Sequence, residues 1–223
     1  MFSVDKKILS FKEAAELSNS AVRSVLLVRH SFRESLKGGN LDPGLTPEGR
    51  EYALQCGTLL KGMKEVCFAA SPRKRTFETV RALMEGGELP ESPILPCPLF
   101  HDTALFSPPE GLAASLENNT LPRLLQTYFY SGSAPGMIPL KEYAGKLVDF
   151  LTGTAFEKPN VILASHDIVL VSLLSCFKVY PFTQEDWCGY IQGAFLYQDS
   201  GKNWTIAYTV PDTEKREKCQ LFV

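Results

Sequence analysis

The chain has 223 residues, a formal net charge of −2, 44% hydrophobic and 22% charged residues. That balance suits one soluble domain with a large core. It leaves no broad basic surface, which excludes a general nucleic-acid binder and makes any anion site local. The six cysteines, Cys56, Cys67, Cys97, Cys176, Cys188 and Cys219, include no C-x-x-C pair. Zinc and thioredoxin-like chemistry therefore have no support, and the thiols read as structural. The opening residues lack the apolar run of a signal peptide. The longest apolar stretch, near 168–177, is about half of a membrane span. The expectation is a cytoplasmic protein with reduced thiols, no membrane association and no nucleic-acid partner. Composition leaves the oligomeric state open.

In chain order, Ser10-Phe11-Lys12-Glu13 has capping-box spacing and predicts a short helix with Phe11, Ala14 and Ala15 on one face. Ser24 to Val28 is an unbroken apolar run of the kind found in a strand buried on both faces. It ends in Arg29 and His30, with Arg33 three residues on. Thr46-Pro47-Glu48 starts a helix, with Thr46 as N-cap and Pro47 at the first helical position. A second buried-type run, Val66 to Ala70, ends at Ser71-Pro72, with Arg73 and Arg75 just beyond, and a helix follows. Seven of the 15 prolines fall between residues 89 and 122, where little regular structure is expected. Leu121, Leu124, Leu125, Tyr128 and Phe129 predict one amphipathic helix. Leu140, Tyr143, Ala144, Leu147, Val148 and Leu151 predict another. A third buried-type run, Val161 to Ala164, leads into Ser165-His166-Asp167 and then a segment apolar all round. Phe195-Leu196-Tyr197 and Trp204 to Tyr208 flank a polar turn and predict a hairpin.

Strands alternating with helices argue for an α/β fold. The expected form is a three-layer sandwich, a mostly parallel sheet with helices on both faces and an antiparallel edge hairpin. A single domain over residues 1–223 should carry the Pro-rich segment at about 89–122 as an insertion or lid. Ligands of such sheets bind outside the carboxyl ends of the strands. Three strands end in polar residues there, and two of the chain's three histidines take the same structural position. Guanidiniums gathered in one crevice match a tetrahedral dianion. An imidazole among them, its pKa lowered by those cations, can attack phosphorus and carry the phosphoryl group. A second imidazole can stabilise the charge in transfer, and a carboxylic acid can protonate the leaving oxygen. The arginines supply the neutralising charge, so no metal or cofactor is expected.

"VRHSFR", "LTPEGR", "SPRKRTFETV" and "ASHD", in this order and spacing, resemble the histidine phosphatase superfamily, which includes phosphoglycerate mutases and acid phosphatases. The resemblance implies that His30 is the phosphorylated nucleophile and that Arg29, Arg33 and Arg75 bind the phosphate. It implies that His166 completes the pocket. Asp167 of the His-Asp pair resembles the proton donor of the acid-phosphatase branch. The mutase branch would instead point to Asp102 in "FHDTALF", or to Glu110; Asp167 is preferred. Two positions depart from the family pattern, with Ser31 and Ser165 where glycines are usual. Ser31 is placed with the phosphate ligands, to crowd the anion or donate to it. The Pro-rich segment is expected to roof the pocket, with Phe100, His101 and Phe106 as lining. The implied function is a metal-independent phosphomonoester hydrolase acting on a small phosphorylated molecule. A mutase-type phosphotransferase and a non-catalytic phosphate-binding module are the alternatives.

Overall fold

The computed structural model describes residues 2–35, 40–106, 116 and 120–213. Among these, seven strands form one sheet: β1 (Phe2–Ser10), β2 (Arg23–Arg29), β3 (Val66–Ala70), β4 (Ile94–Pro96), β5 (Asn160–Ser165), β6 (Gly193–Gln198) and β7 (Trp204–Val210). Their order is β1-β7-β6-β2-β5-β3-β4. All neighbours run parallel except β6, which is antiparallel to both β2 and β7. Among the described residues, six α-helices have defined bounds: α1 (Phe11–Ser20), α2 (Pro47–Thr58), α3 (Lys74–Gly86), α4 (Leu121–Ser131), α5 (Leu140–Thr152) and α6 (Asp167–Cys176).

The period-two alternation along the strands divides the core into two layers. Leu26, Val28, Phe68, Ile162 and Phe195 face α1, α2 and α3. Val25, Leu27, Val161, Leu163 and Leu196 face α4, α5 and α6. The outcome is the three-layer α/β sandwich. Helix α6 is buried from Ile168 to Leu174, which explains its lack of a polar face. No helix among the described residues is long and apolar enough to cross a membrane.

The predicted caps are present. Ser10 Oγ accepts from the Glu13 amide at 3.2 Å, and the Ser10 amide donates to Glu13 Oε2 at 2.8 Å. Thr46 Oγ1 accepts from the Gly49 amide at 3.0 Å. The hairpin is antiparallel as read, but it is not at the edge: β1 lies outside it, parallel to β7. The sequence reading missed β1 because Asp5-Lys6-Lys7 interrupts its apolar alternation, and the register to β7 shifts between Val4 and Ile8 there.

Three strand ends line up at one border of the sheet. Arg29 pairs with Ser165, and Ala70 with Ala164. The His30 amide then donates to the Ser165 carbonyl, and the Ser71 amide to the Ala164 carbonyl, each at 2.9 Å. Helix α2 closes on the segment after His30. A Cβ on Gly49 would lie 2.1 Å from the Phe32 carbonyl oxygen, a backbone atom that cannot rotate away. Gly49→Ala should therefore destabilise the fold by about 1–3 kcal/mol. A thermal melt should show this as a drop of roughly 2–12 °C.

Candidate active site

His30 is the first residue past β2 and is 4% exposed. Its Nδ1 lies 2.7 Å from the Ser31 carbonyl oxygen. A carbonyl only accepts, so Nδ1 carries the proton and Nε2 keeps its lone pair. Burial, then the charges of Arg29, His166 and Arg75, push the His30 pKa well below 6.5. This imidazole is neutral near pH 7.

His166 follows β5, and its ring centroid is 5.5 Å from that of His30, edge to face. Arg75 Nη2 donates to His166 Nδ1 at 3.2 Å, so the ring proton is on Nε2, which donates to Ser71 Oγ at 2.7 Å. Burial pushes the His166 pKa down to about 3, against the pull of Asp102. The two imidazoles thus hold opposite tautomers, and each is fixed by its own partner.

Two guanidiniums flank them. Arg75, in the first turn of α3 and 6% exposed, donates through Nη2 to Asp102 Oδ2 at 2.8 Å. Its Nη1 is 3.8 Å from Asp42 Oδ1. Arg29 pairs through Nη2 with Asp167 Oδ2 at 3.0 Å and donates through Nη1 to the Cys188 carbonyl at 2.7 Å. Arg73 adds a third cation, 3.2 Å from Asp102 Oδ1. The Nε groups of Arg73 and Arg75 are buried and make no hydrogen bond among the described residues. Buried donors without partners are disfavoured, and an oxyanion would satisfy them.

The two aspartates differ. Asp102 lies against Arg73, Arg75 and His101, whose Nδ1 is 3.0 Å from Asp102 Oδ1. Burial works to raise its pKa, but His166, Arg73 and Arg75 outweigh that and hold it below the ordinary value. Asp167 begins α6. Its Oδ2 accepts from Trp187 Nε1 at 3.2 Å as well as pairing with Arg29. Among the described residues, no group of three His, Cys, Asp or Glu side chains is placed to hold a metal ion.

A family model described as "Histidine phosphatase superfamily (branch 1)" matches residues 25–190. The chain belongs to the histidine phosphatase superfamily. The same fold is seen in a mycobacterial glucosyl-3-phosphoglycerate phosphatase, with 19% identity and TM-score 0.56 over 84% of this chain and 98% of that one. YhfR of Bacillus stearothermophilus gives 17% identity and TM-score 0.55 over 87% and 98%. A histidine-to-alanine mutant of a phosphoserine phosphatase from Entamoeba histolytica gives 16% and 0.54 over 86% and 98%. No curated protein matches the chain by sequence.

In this histidine phosphatase superfamily member, five residues singled out from the sequence, Arg29, His30, Arg75, His166 and Asp167, gather at the one sheet border, with Asp102 beside Arg75. Arg33 stands further out: Nη1 donates to the Glu34 carbonyl at 3.0 Å. It is near enough to help lower the Arg75 pKa, after burial and Arg73. Glu110 lies outside the described residues, as does most of the second half of the Pro-rich segment. Ser31 needs correction as a phosphate ligand. Its hydroxyl donates to the Gly49 carbonyl at 2.7 Å, so its proton is committed to α2. Phe100 is also not lining. It is fully buried against Phe150, while its carbonyl accepts from Ser165 Oγ at 2.7 Å. Phe106 is likewise packed in the core beside Met137. His101 does approach the site, 6.2 Å from the His166 ring. The sequence reading missed Ser71, Trp187 and Tyr190. Ser71 had a signal, being a hydroxyl at a strand end; the other two follow a stretch without a motif.

The neutral histidines make the fold acid-sensitive. Below pH about 6.5 an unfolded histidine takes a proton that folded His166 refuses until about pH 3. The unfolded state then binds more protons, and stability falls as pH drops through that window. At pH 4.5 the loss from His166 is about 2–3 kcal/mol. Denaturant melts of wild type and His166→Asn should therefore converge by that amount between pH 7 and 4.5.

Proposed function

We propose that this chain is a metal-independent phosphomonoester hydrolase working through a phosphohistidine at His30. The supporting observation is the pair of buried, neutral imidazoles 5.5 Å apart, with Arg29, Arg73 and Arg75 around them. The arginines bind the phosphoryl oxygens and neutralise their charge. The His30 Nε2 lone pair forms the N–P bond as the P–O ester bond breaks, and the leaving oxygen takes a proton. Water then attacks phosphorus and gives a proton to the carboxylate that served as the acid, the N–P bond breaks, its electron pair returns to Nε2, and inorganic phosphate departs. His166 accepts from Arg75 through Nδ1 and so holds that guanidinium against the equatorial oxygens in both steps.

We assign the proton transfer to Asp102 rather than to Asp167. Asp102 lies among Arg73, Arg75 and His166, whereas Asp167 is committed to Arg29 and Trp187. A bound dianion draws the guanidiniums onto itself and raises the Asp102 pKa, so the acid is armed by the substrate. Among the described residues Cys56, Cys67, Cys97, Cys176 and Cys188 are free thiols, which suits the cytoplasm. The substrate is a small phosphomonoester, the class named for the phosphoserine and glucosyl-3-phosphoglycerate phosphatases that share the fold. Turnover of p-nitrophenyl phosphate in EDTA, by wild type and by His30→Ala, tests the reading. Loss of activity in EDTA overturns metal independence, and full activity of the variant overturns the nucleophile.

A further inference from the structure

Residues 187–192 surround Arg29. The Arg29 amide donates to the Gln192 carbonyl at 2.9 Å, and the Ile191 amide donates back to the Arg29 carbonyl at 3.1 Å. The Cys188 carbonyl takes the Nη1 hydrogen at 2.7 Å. Trp187 Nε1 holds Asp167 Oδ2, the oxygen that pairs with Nη2. The Tyr190 ring then covers the guanidinium, its centroid 4.2 Å from Cζ. The same ring is 5.9 Å from His30 and 4.6 Å from Phe32.

This wrap depends on an unusual backbone. Ile191 is buried and β-branched, yet its φ is +55°, a left-handed conformation that side chains of this kind rarely adopt. Strain of this sort persists where the surroundings impose it, and it clusters at functional sites. Here the turn is locked from behind. Gln192 Oε1 accepts from the Gly189 amide at 3.0 Å and from the Tyr208 hydroxyl. The kink at Ile191 follows directly on Tyr190 in the turn that carries its ring over Arg29.

We infer that Tyr190 is a positioning residue for phosphate binding, holding the Arg29 guanidinium in plane through its ring face. The inference rests on the reading of Arg29 as a phosphate ligand. A guanidinium gives two parallel hydrogen bonds to an oxyanion only in one plane and at one depth. Asp167 and the Cys188 carbonyl fix its Nη atoms from the edge; a flat ring is what fixes the plane. Tyr190 is half-buried, so its loss leaves the core intact.

The test compares Tyr190→Phe, which keeps the ring, with Tyr190→Leu, which removes it. Orthophosphate affinity by calorimetry and p-nitrophenyl phosphate kinetics are the readouts, with circular dichroism as the folding control. Tyr190→Leu is expected to weaken phosphate binding and raise KM by ~3–30-fold, with kcat changed far less. Tyr190→Phe should stay within about twofold of wild type. In an Arg29→Gln background, Tyr190→Leu should have almost no further effect on phosphate affinity. Wild-type affinity in Tyr190→Leu, equal losses in both ring variants, or an undiminished effect without Arg29 would each overturn the inference. The binding arm needs no turnover, so an inactive His30→Ala protein still reports on Tyr190. Failure of the phosphohistidine reading is thus separable from failure of this one.

Discussion

His30→Ala is expected to lower kcat for p-nitrophenyl phosphate by ~10⁴-fold or more while leaving orthophosphate binding within several-fold of wild type. The split follows from what the residue touches. Its Nε2 lone pair is the group that would bond to phosphorus, because Nδ1–H is committed to the Ser31 carbonyl. No neighbour can replace it: His166 Nδ1 already accepts from Arg75 and its Nε2 is turned to Ser71. The positive charge that would bind the anion resides elsewhere, on Arg29, Arg73 and Arg75, so affinity should survive. Removing His30 also removes a ring whose protonation the burial and cations oppose, so the variant should fold and lose less stability in acid than wild type. Steady-state kinetics with calorimetry decides the matter. Equal loss of binding and turnover would mean that the pocket had collapsed rather than lost its nucleophile. A complementary sign is protein-bound phosphate after rapid quench of wild type, absent from the variant.

The second large effect separates the aspartates. With an alkyl phosphate, whose leaving alkoxide needs a proton, Asp102→Asn should lower kcat by ~10²–10⁴-fold. With p-nitrophenyl phosphate, whose leaving group departs as a stable anion, the same variant should lose far less. Asp167→Asn should show no such dependence on leaving group, and its main effect should be a raised KM. The reason is that Asp167 balances Arg29 and takes the Trp187 hydrogen. An asparagine there keeps an acceptor but loses the charge that anchors the guanidinium. The pH dependence has a definite direction. Despite its burial, Asp102 is held below its ordinary pKa by His166, Arg73 and Arg75, so it is mostly ionised at neutral pH. The alkyl phosphate reaction should therefore quicken from pH 8 towards 5, and the nitrophenyl reaction should be flatter. A leaving-group dependence found in Asp167→Asn and not in Asp102→Asn would reverse the assignment.

Much of the fold was legible because burial writes itself into runs and periods. β2, β3 and β5 are covered on both faces and read as unbroken apolar stretches; α4 and α5 carry their stripes at helical spacing. The capping residues Ser10 and Thr46 announced α1 and α2 through chemistry that acts within three residues. β1 was illegible for the opposite reason. Its charged middle is tolerated at a sheet edge, and its pairing partner β7 is some 200 residues away in the chain. The site divides the same way. His30 and His166 could be placed side by side, with Arg75 just beyond a third strand, because strand ends converge in a parallel sheet whatever the details.

The sequence alone determined which groups would meet: two imidazoles, a set of guanidiniums and a choice of carboxylates at one sheet border. That much follows from strand direction, which local patterning encodes. Only the tertiary structure decided what each group is bonded to. It turned the Ser31 hydroxyl onto Gly49, gave Asp167 to Arg29 and Asp102 to Arg75, and brought the turn at 187–192 around Arg29. Those choices depend on hydrogen-bond directions fixed to within an ångström by packing between distant segments, and no local pattern in the chain records them.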